Sequence, residues 1–291
     1  AQRVRNIGLC LKLIVDNFQD VQVIATGSSA FELSDTISEP LTGRKYELQL
    51  FPFSVEELRY DLADLEIKRL LEHRMIYGMY PEIVQNYGEE RDLLKEIARS
   101  YLYKDVLQYQ HIKNPEILEK LLQALALQIG SEVSYNELAG LLGIDKKTVA
   151  SYIRILEQAF VVFSLRPFSR NLRNELKKLR KIYFVDTGIR NALINNFNPF
   201  PLRQDGGALW ENFMMGERLK ANNNQNRGVN MYFWRTHQQQ KIDLIEESGG
   251  KLAGYEFKWG KKKFRVPQIF QKTYPGSPVM PVTKENFAEL V

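Results

Sequence analysis

The stretch KIDLIEESGGKLAGYEFK, residues 241–258, decides the fold of the C-terminal third of this chain. It holds two strand-like runs, Lys241–Glu246 and Leu252–Lys258, on either side of Gly249-Gly250. Paired glycines adopt the positive φ angles of a tight hairpin turn, so the pattern predicts an antiparallel hairpin. Around it we expect two helices and two further strands that complete an α/β unit from residue 204 onward: helices over 208–220 and 267–273, strands over 231–235 and 279–282.

Two acids and a lysine of this hairpin are expected to meet on one face of the sheet. Strand side chains alternate with a period of two, so Glu256 and Lys258 share a side, and pairing brings Asp243 alongside. Asp243 and Glu256 are therefore candidate ligands for Mg²⁺ or Mn²⁺, with Lys258 placed to stabilise charge on a phosphate. Glu211, on the preceding helix, is a further candidate catalytic acid. The alternative is a surface acid and a simple ion pair between Glu256 and Lys258.

Residues 131–203 have the pattern of a helix-turn-helix. Ser134 precedes one apolar helical run, and Asp145 can cap a second helix, Lys146–Phe160, after a turn at Gly143. Strands over 161–167 and 181–185 surround a basic loop, which predicts a winged helix-turn-helix. The candidate nucleic-acid contacts are Lys146, Lys147, Arg154, Arg170 and Arg173, and the exposed face of the second helix is expected to include Thr148, Ser151 and Tyr152. Winged helices also dock proteins, so a protein partner is the alternative.

The N-terminal part has the pattern of an incomplete parallel sheet. Val21–Thr26 is a β-branched run that ends in Gly27-Ser28-Ser29, which is typical of a buried strand with ligand-facing residues at its carboxyl end. The residues that follow offer almost no parallel neighbours, so we expect the other strands to precede Ala1. A second strand-like stretch covers 46–53. Ser54-Val55-Glu56-Glu57 is a capping-box pattern, and helices are expected from there to residue 128.

Composition and charge favour a globular protein with a polyanionic partner. Hydrophobic residues make up 44% of the chain, charged residues 26%, and the formal net charge is +5. The positive charge is concentrated in Arg166–Lys181 and around Lys258–Lys263, and clustered cations of this kind indicate nucleic acid. A single cysteine, Cys10, which we expect to be buried, excludes a disulfide framework and fits the cytoplasm. No apolar run approaches the roughly 20 residues that cross a bilayer.

Taken in order, these units resemble one family, the prokaryotic AAA-type ATPases with a C-terminal PD-(D/E)XK-like domain of unknown function. Asp243 and the Glu256-Phe257-Lys258 run resemble the acid and the Glu-x-Lys element of PD-(D/E)XK nucleases. The stretches that carry the full resemblance span nearly the whole chain: Ala1–Val4, Ala25–Ser29, Leu41–Arg44, Tyr80–Glu82, Lys181–Gly188, Trp210–Phe213, Tyr232–Arg235 and Glu256–Lys258.

The resemblance implies that the P-loop and the Walker B acids, which hold ATP and Mg²⁺ in the full-length protein, lie just upstream of Ala1. This chain alone is then expected not to hydrolyse ATP. Thr26 and Ser28 match the sensor-1 position that reads the γ-phosphate, and Arg44 is a candidate trans-acting arginine. Members of the family usually carry an acid two residues before the strand aspartate. Lys241 stands there instead, which removes one possible metal ligand.

Together these features predict an α/β multidomain chain: a partial AAA-type core over 1–60, a helical lid over 61–130, a winged helix-turn-helix over 131–203 and a PD-(D/E)XK nuclease-like α/β domain over 204–291. The leading function is the C-terminal portion of an AAA-type ATPase that engages DNA, with a homo-oligomer as candidate assembly. One alternative is a non-catalytic DNA- or protein-binding regulator with a degenerate nuclease fold. The other is a metal-dependent nuclease that the ATPase regulates.

Overall fold

A mixed sheet of seven strands runs through the C-terminal half of the described chain. The computed structural model describes residues 6–18, 20–27, 43–100, 114–169, 180–236, 238–260 and 264–291. The strands are β1 (Glu132–Val133), β2 (Val162–Pro167), β3 (Arg180–Phe184), β4 (Asn230–Arg235), β5 (Lys241–Ser248), β6 (Lys251–Phe257) and β7 (Val279–Val282). Their order is β1-β3-β2-β4-β5-β6-β7. The pairs β2/β4 and β6/β7 are parallel, and the other neighbours are antiparallel.

Helices precede the sheet and cover it, which confirms the predicted α/β class. The α-helices are α1 (Ile7–Asn17), α2 (Val55–Leu58), α3 (Asp64–Tyr77), α4 (Pro81–Gln85), α5 (Glu90–Ser100), α6 (Pro115–Leu127), α7 (Tyr135–Leu142), α8 (Lys146–Gln158), α9 (Thr187–Leu193), α10 (Gly206–Asn224) and α11 (Gln268–Thr273). Short 3₁₀ turns occur at Phe200–Leu202 and Phe287–Glu289. Within the described ranges, no helix combines the length and the apolar character that spanning a membrane requires.

The hairpin of β5 and β6 forms as its sequence predicts. Gly249 and Gly250 have φ angles of 56° and 77°, which a two-residue hairpin turn requires and which residues with a Cβ rarely adopt. Leu244 pairs with Tyr255, and β5 has a bulge against β4 between Ile242 and Ile245. One face of the sheet here packs against α11 in a small core of Trp234, Ile242, Ile245, Phe270 and Tyr274.

Helices α7 and α8 also form where the sequence places them. Asp145 caps α8 by accepting hydrogen bonds from the amides of Lys147 and Thr148, at 2.7 and 3.0 Å. Gly143 ends α7 in the left-handed conformation. Helix α8 ends at Gln158, before the predicted Phe160, because Phe160 itself has a φ of 55°. The antiparallel pair β2/β3 follows, with β1 added to the outer side of β3.

The main hydrophobic core and the sheet both continue across the predicted boundary at residue 203. Strand β2 pairs with β4 through Arg166 opposite Tyr232 and Pro167 opposite Phe233. Helix α10 packs along β3, where the side-chain amide of Asn212 pairs with both backbone groups of Phe184 at 2.8 and 2.9 Å. Residues 131–203 and the C-terminal α/β unit therefore share one sheet, while the division of the chain into four domains stays a prediction.

Glu217 and Lys220 of α10 hold the segment that leads into α2, and we call this pair the Glu217–Lys220 clamp. Glu217 accepts the backbone amide of Val55 at 2.6 Å and the ammonium of Lys220 at 2.8 Å. Lys220 also donates to the carbonyl of Phe53 at 2.8 Å. Both charged side chains are at most 3% exposed. Ser54, which lies between Phe53 and Val55, forms the predicted capping box with Glu57. The clamp thus ties the N-terminal segment to the C-terminal unit.

Two of the predicted N-terminal strands do not form in the described residues. Residues 21–27 and 45–50 have no regular secondary structure, and Ile24 and Leu50 are 79% and 92% exposed. An isolated segment cannot form a strand because its backbone groups need a partner strand, and no described segment pairs with either stretch. The prediction that Cys10 is buried is also wrong, since Cys10 is exposed on α1. These sequence patterns describe the apolar character of the segments but not their pairing.

Candidate functional site

Three buried acids lie on α10 and on the hairpin of β5 and β6. Glu211 comes from α10, Asp243 from β5 and Glu256 from β6, and each residue is at most 7% exposed. Helix α10 places Glu211 over the sheet because its long apolar face, which includes Trp210 and Phe213, is buried there. Three of the four predicted catalytic residues are therefore buried acids, and the side chain of the fourth, Lys258, is 29% exposed. Their grouping on one face stays a prediction.

Each acid is paired with a lysine. Lys181 of β3 donates to Glu211 at 2.8 Å, and its ammonium lies 4.0 Å from Asp243. Lys241 donates to the same Asp243 oxygen, Oδ1, at 3.0 Å. Lys258 donates to Glu256 Oε1 at 2.6 Å, so the predicted ion pair between these two residues is present. We call the three acids with these three lysines the acid–lysine cluster.

Backbone and tyrosine donors occupy further oxygens of the cluster. The amide of Phe257 donates to Asp243 Oδ2 at 3.0 Å. The hydroxyl of Tyr183, next to Lys181 on the same face of β3, donates to Glu211 Oε1 at 2.6 Å. By contrast, Glu256 Oε2 is buried and has no hydrogen-bond partner in the described chain. Glu256 is thus the acid whose charge is least completely satisfied.

The burial of the cluster changes the protonation of its members. Burial, followed by the negative charge of Asp243, raises the pKa of Glu256. Burial, followed by the charge of Glu211, raises the pKa of Tyr183 well above its ordinary value, so its hydroxyl stays a donor. For Lys241, burial lowers the pKa, but the charges of Asp243 and Glu211 outweigh it and the net shift is upward. Lys241 is therefore a fixed positive charge at neutral pH.

The arrangement does not fit a resident divalent cation. In the part of the chain that the structure describes, no three acidic, histidine or cysteine side chains group in a way that could hold a metal ion. Both oxygens of Asp243 are engaged by donors, and Lys241 stands where an approaching cation would contact Oδ1. Mg²⁺ or Mn²⁺ bound by Asp243 and Glu256 stays a prediction from the sequence, and the donor set argues against it.

The second candidate surface is the exposed side of α8. Lys146, Lys147 and Arg154 are exposed, as predicted, while Val149 and Ile153 on the opposite side are buried. Ser151 is also exposed, but the prediction for Tyr152 is wrong, because only 9% of it is exposed. Thr148 is half-buried, and its hydroxyl donates to Asp145 at 2.6 Å. The predicted contacts Arg170 and Arg173 lie outside the described residues.

Two of the three residues predicted to read ATP lie among the described residues. Thr26 lies in the irregular segment after α1 and is exposed. Arg44 forms an ion pair with Asp16 of α1. Ser28 lies outside the described residues. The roles of these three residues in nucleotide binding therefore stay predictions.

Lys181 and Tyr183 are the members of the site that the sequence pattern did not indicate. Both belong to the stretch Lys181–Gly188 on which the family resemblance partly rests, and period two places them on one face of β3. Lys181 and Asp243 are far apart in the sequence, so the pattern gave no indication that their side chains approach each other. Strands β2 and β4 lie between β3 and β5 in the sheet. The connection between β3 and this site therefore runs through α10, whose Glu211 accepts from Lys181.

Three protein-family models match consecutive parts of the chain. Residues 1–59 match an AAA domain, residues 68–199 match the domain of unknown function DUF8612, and residues 206–280 match the domain of unknown function DUF4143. The AAA match agrees with the ATPase-type interpretation of the N-terminal region. The winged-helix and PD-(D/E)XK interpretations of the remaining residues stay predictions.

Relatives occur in distant organisms, each named only as an uncharacterized protein. One from Mycobacterium tuberculosis is 27% identical over 262 residues, which cover 89% of this chain and 57% of the relative. One from Haemophilus influenzae is 24% identical and covers 60% of this chain and 46% of the relative. One from Methanocaldococcus jannaschii is 27% identical, with 66% and 46% covered. The chain thus spans about half the length of these relatives. No solved structure matches it.

Proposed function

We propose that this chain is the C-terminal portion of an AAA-type ATPase, which binds ATP and Mg²⁺ in its full length, and that α8 engages duplex DNA. The AAA match over residues 1–59 supports the ATPase class. The observation that carries the DNA proposal is the exposed basic side of α8. Lys147, Ser151 and Arg154 follow one another at helical spacing of four and three residues, so they share a face.

The geometry of α8 suits a helix that lies in the major groove. In helix-turn-helix proteins the second helix enters the groove and its N-terminal residues reach the base edges. Lys146 and Lys147 begin α8, where the helix dipole also favours a phosphate. Within the described ranges, Lys146, Lys147 and Arg154 form no ion pair with an acid, so their charges are available to an anionic partner.

The exposed apolar residues near the N-terminus support self-association, which is the assembly we propose. Tyr46, Leu48 and Leu50 are 98%, 87% and 92% exposed. Large apolar side chains on one short segment mark a contact surface more often than a solvated one. Of the two alternatives to the leading function, the acid–lysine cluster favours the non-catalytic regulator over the nuclease, because its carboxylates already have ammonium partners.

DNA binding is tested by fluorescence anisotropy with a labelled 20-base-pair duplex across about 50 to 200 mM salt, the range in which phosphate contacts dominate affinity. The triple variant Lys146→Ala, Lys147→Ala, Arg154→Ala should bind more weakly, with the slope of log affinity against log salt reduced by about 0.9 for each phosphate that the variant no longer neutralises. The control is Lys68→Ala, Arg69→Ala, Lys120→Ala, which removes the same exposed charges elsewhere. Equal affinity and equal slope for the two triples would assign α8 to a protein partner.

A further inference from the structure

We propose that the ammonium group of Lys241 takes the place of a divalent cation beside Asp243, so that the C-terminal sheet keeps a nuclease-like set of acids without binding a metal. This goes beyond the proposed DNA contact, which lies on α8 and does not depend on the acids.

The position of Lys241 follows from the first residues of β5. Lys241 and Asp243 are two residues apart on one strand, so both side chains point to the face covered by α10. The ammonium lies 3.0 Å from Asp243 Oδ1, and the charges of Asp243, Glu211 and Glu256 all act on it. A metal bound to Asp243 Oδ1 would have to occupy the same space as this ammonium.

The formal charges of the cluster already balance. Three buried carboxylates face three ammonium groups, those of Lys181, Lys241 and Lys258. A divalent cation would add two positive charges to a neutral and poorly solvated site, beside ammonium groups that repel it. Binding would therefore require at least one lysine to leave.

The oxygens that a metal would need are also occupied. Asp243 accepts from Lys241 and from the amide of Phe257, and Glu211 Oε1 accepts from Lys181 and Tyr183. The oxygens left are Glu256 Oε2, which is buried without a partner in the described chain, and Glu211 Oε2, and each belongs to a carboxylate whose other oxygen already accepts from a lysine.

Lys241 is the member of the cluster that can be replaced with least damage to the fold. Its side chain is 46% exposed, whereas those of Lys181 and Asp243 are 8% and 1% exposed. A glutamate at 241 would add a carboxylate on the same face and leave the cluster with two excess negative charges. Lys241→Glu is therefore expected to create the metal site that the natural residue prevents.

The test is a titration with Mn²⁺, followed by electron paramagnetic resonance of the free ion and by thermal unfolding, on the 291-residue chain. The wild type should bind no Mn²⁺ at this site. Lys241→Glu should bind Mn²⁺ and unfold at a higher temperature in its presence, and adding Asp243→Asn to this variant should abolish both effects. The control Lys251→Glu makes the same charge change at an exposed position of the hairpin and should gain nothing.

Two results would overturn the proposal. The first is Mn²⁺ binding by the wild type that is lost in Asp243→Asn, because the site would then accept a metal with Lys241 in place. The second is a folded Lys241→Glu without any gain in binding. Should that variant not fold, Lys241→Ala decides the matter, since it removes the ammonium without adding charge: binding that depends on Asp243 supports the proposal, and no binding refutes it.

Discussion

Replacing Glu217 by alanine should strongly destabilise the folded state, because it removes the carboxylate of the Glu217–Lys220 clamp. The side chains of Glu217 and Lys220 are 1% and 3% exposed, so the remaining ammonium would stay buried beside the carbonyl of Phe53, to which it donates. Removing one partner of a buried ion pair costs about 3–5 kcal/mol. The amide of Val55 also loses its acceptor, at a cost of about 1–3 kcal/mol that overlaps with the first figure. We therefore expect a loss of about 3–5 kcal/mol.

Urea unfolding, followed by circular dichroism and tryptophan fluorescence, measures this loss. With an m-value of about 3 kcal/mol/M, the midpoint should fall by about 1 M or more. Glu72→Ala, at an exposed position of α3, is the matched control and should change stability by less than about 0.5 kcal/mol. Hydrogen exchange gives a local reading, because the amide of Val55 should exchange faster in Glu217→Ala. A shift no larger than that of the control would refute the argument that the clamp holds residues 53–55 in place.

Two further predictions concern the lid region and the acid–lysine cluster. Gly78 has a φ of 79°, and a Cβ there would overlap the carboxylate of Asp186. Gly78→Ala should therefore lower the free energy of unfolding by at least about 1–3 kcal/mol. Urea titration measures this loss, and Gly88→Ala is the control because its Cβ would meet no atom. Burial and the charge of Asp243 raise the pKa of Glu256 in the folded state. Protonated Glu256 therefore stabilises the folded state, and this stabilisation is lost as the pH rises through the raised pKa. Glu256→Gln has no such titration, so its stability relative to the wild type should increase as the pH rises from 4.5 upward. Thermal melts of both proteins at a series of pH values measure this. A difference in melting temperature that does not change with pH would contradict it.

Elements that depend on local sequence signals could be predicted closely. Asp145 fixes the start of α8 because its carboxylate accepts two backbone amides of the first turn. Gly249-Gly250 fixes the hairpin for a comparable reason, since its conformation needs residues without a Cβ. Strand β7 begins and ends at Val279 and Val282, where the sequence puts it. In each case the decisive interaction lies within a few residues along the chain.

Features that depend on distant partners could not be predicted in the same way. Val21–Thr26 has the composition of a buried strand, yet a strand forms only where another strand pairs with it. The acids of the candidate site were expected on one face from period two, but their lysine partners were not, because Lys181 comes from β3 and reaches Asp243 only through the packing of α10. Sequence periodicity gives the direction of a side chain, and only the assembled sheet gives its partner.

The pairing of β2 with β4 limits how this protein can be divided or recombined. Two of the family matches meet between residues 199 and 206, which invites a cut at that point. Such a cut would strip β4 of its neighbour and leave the amides and carbonyls along that edge open to any other chain in solution. Exchanging the C-terminal part alone with that of a relative would likewise require the foreign strand to match the register at Arg166 and Pro167. Residues 131–203 and the C-terminal unit should therefore be expressed and exchanged as a single piece.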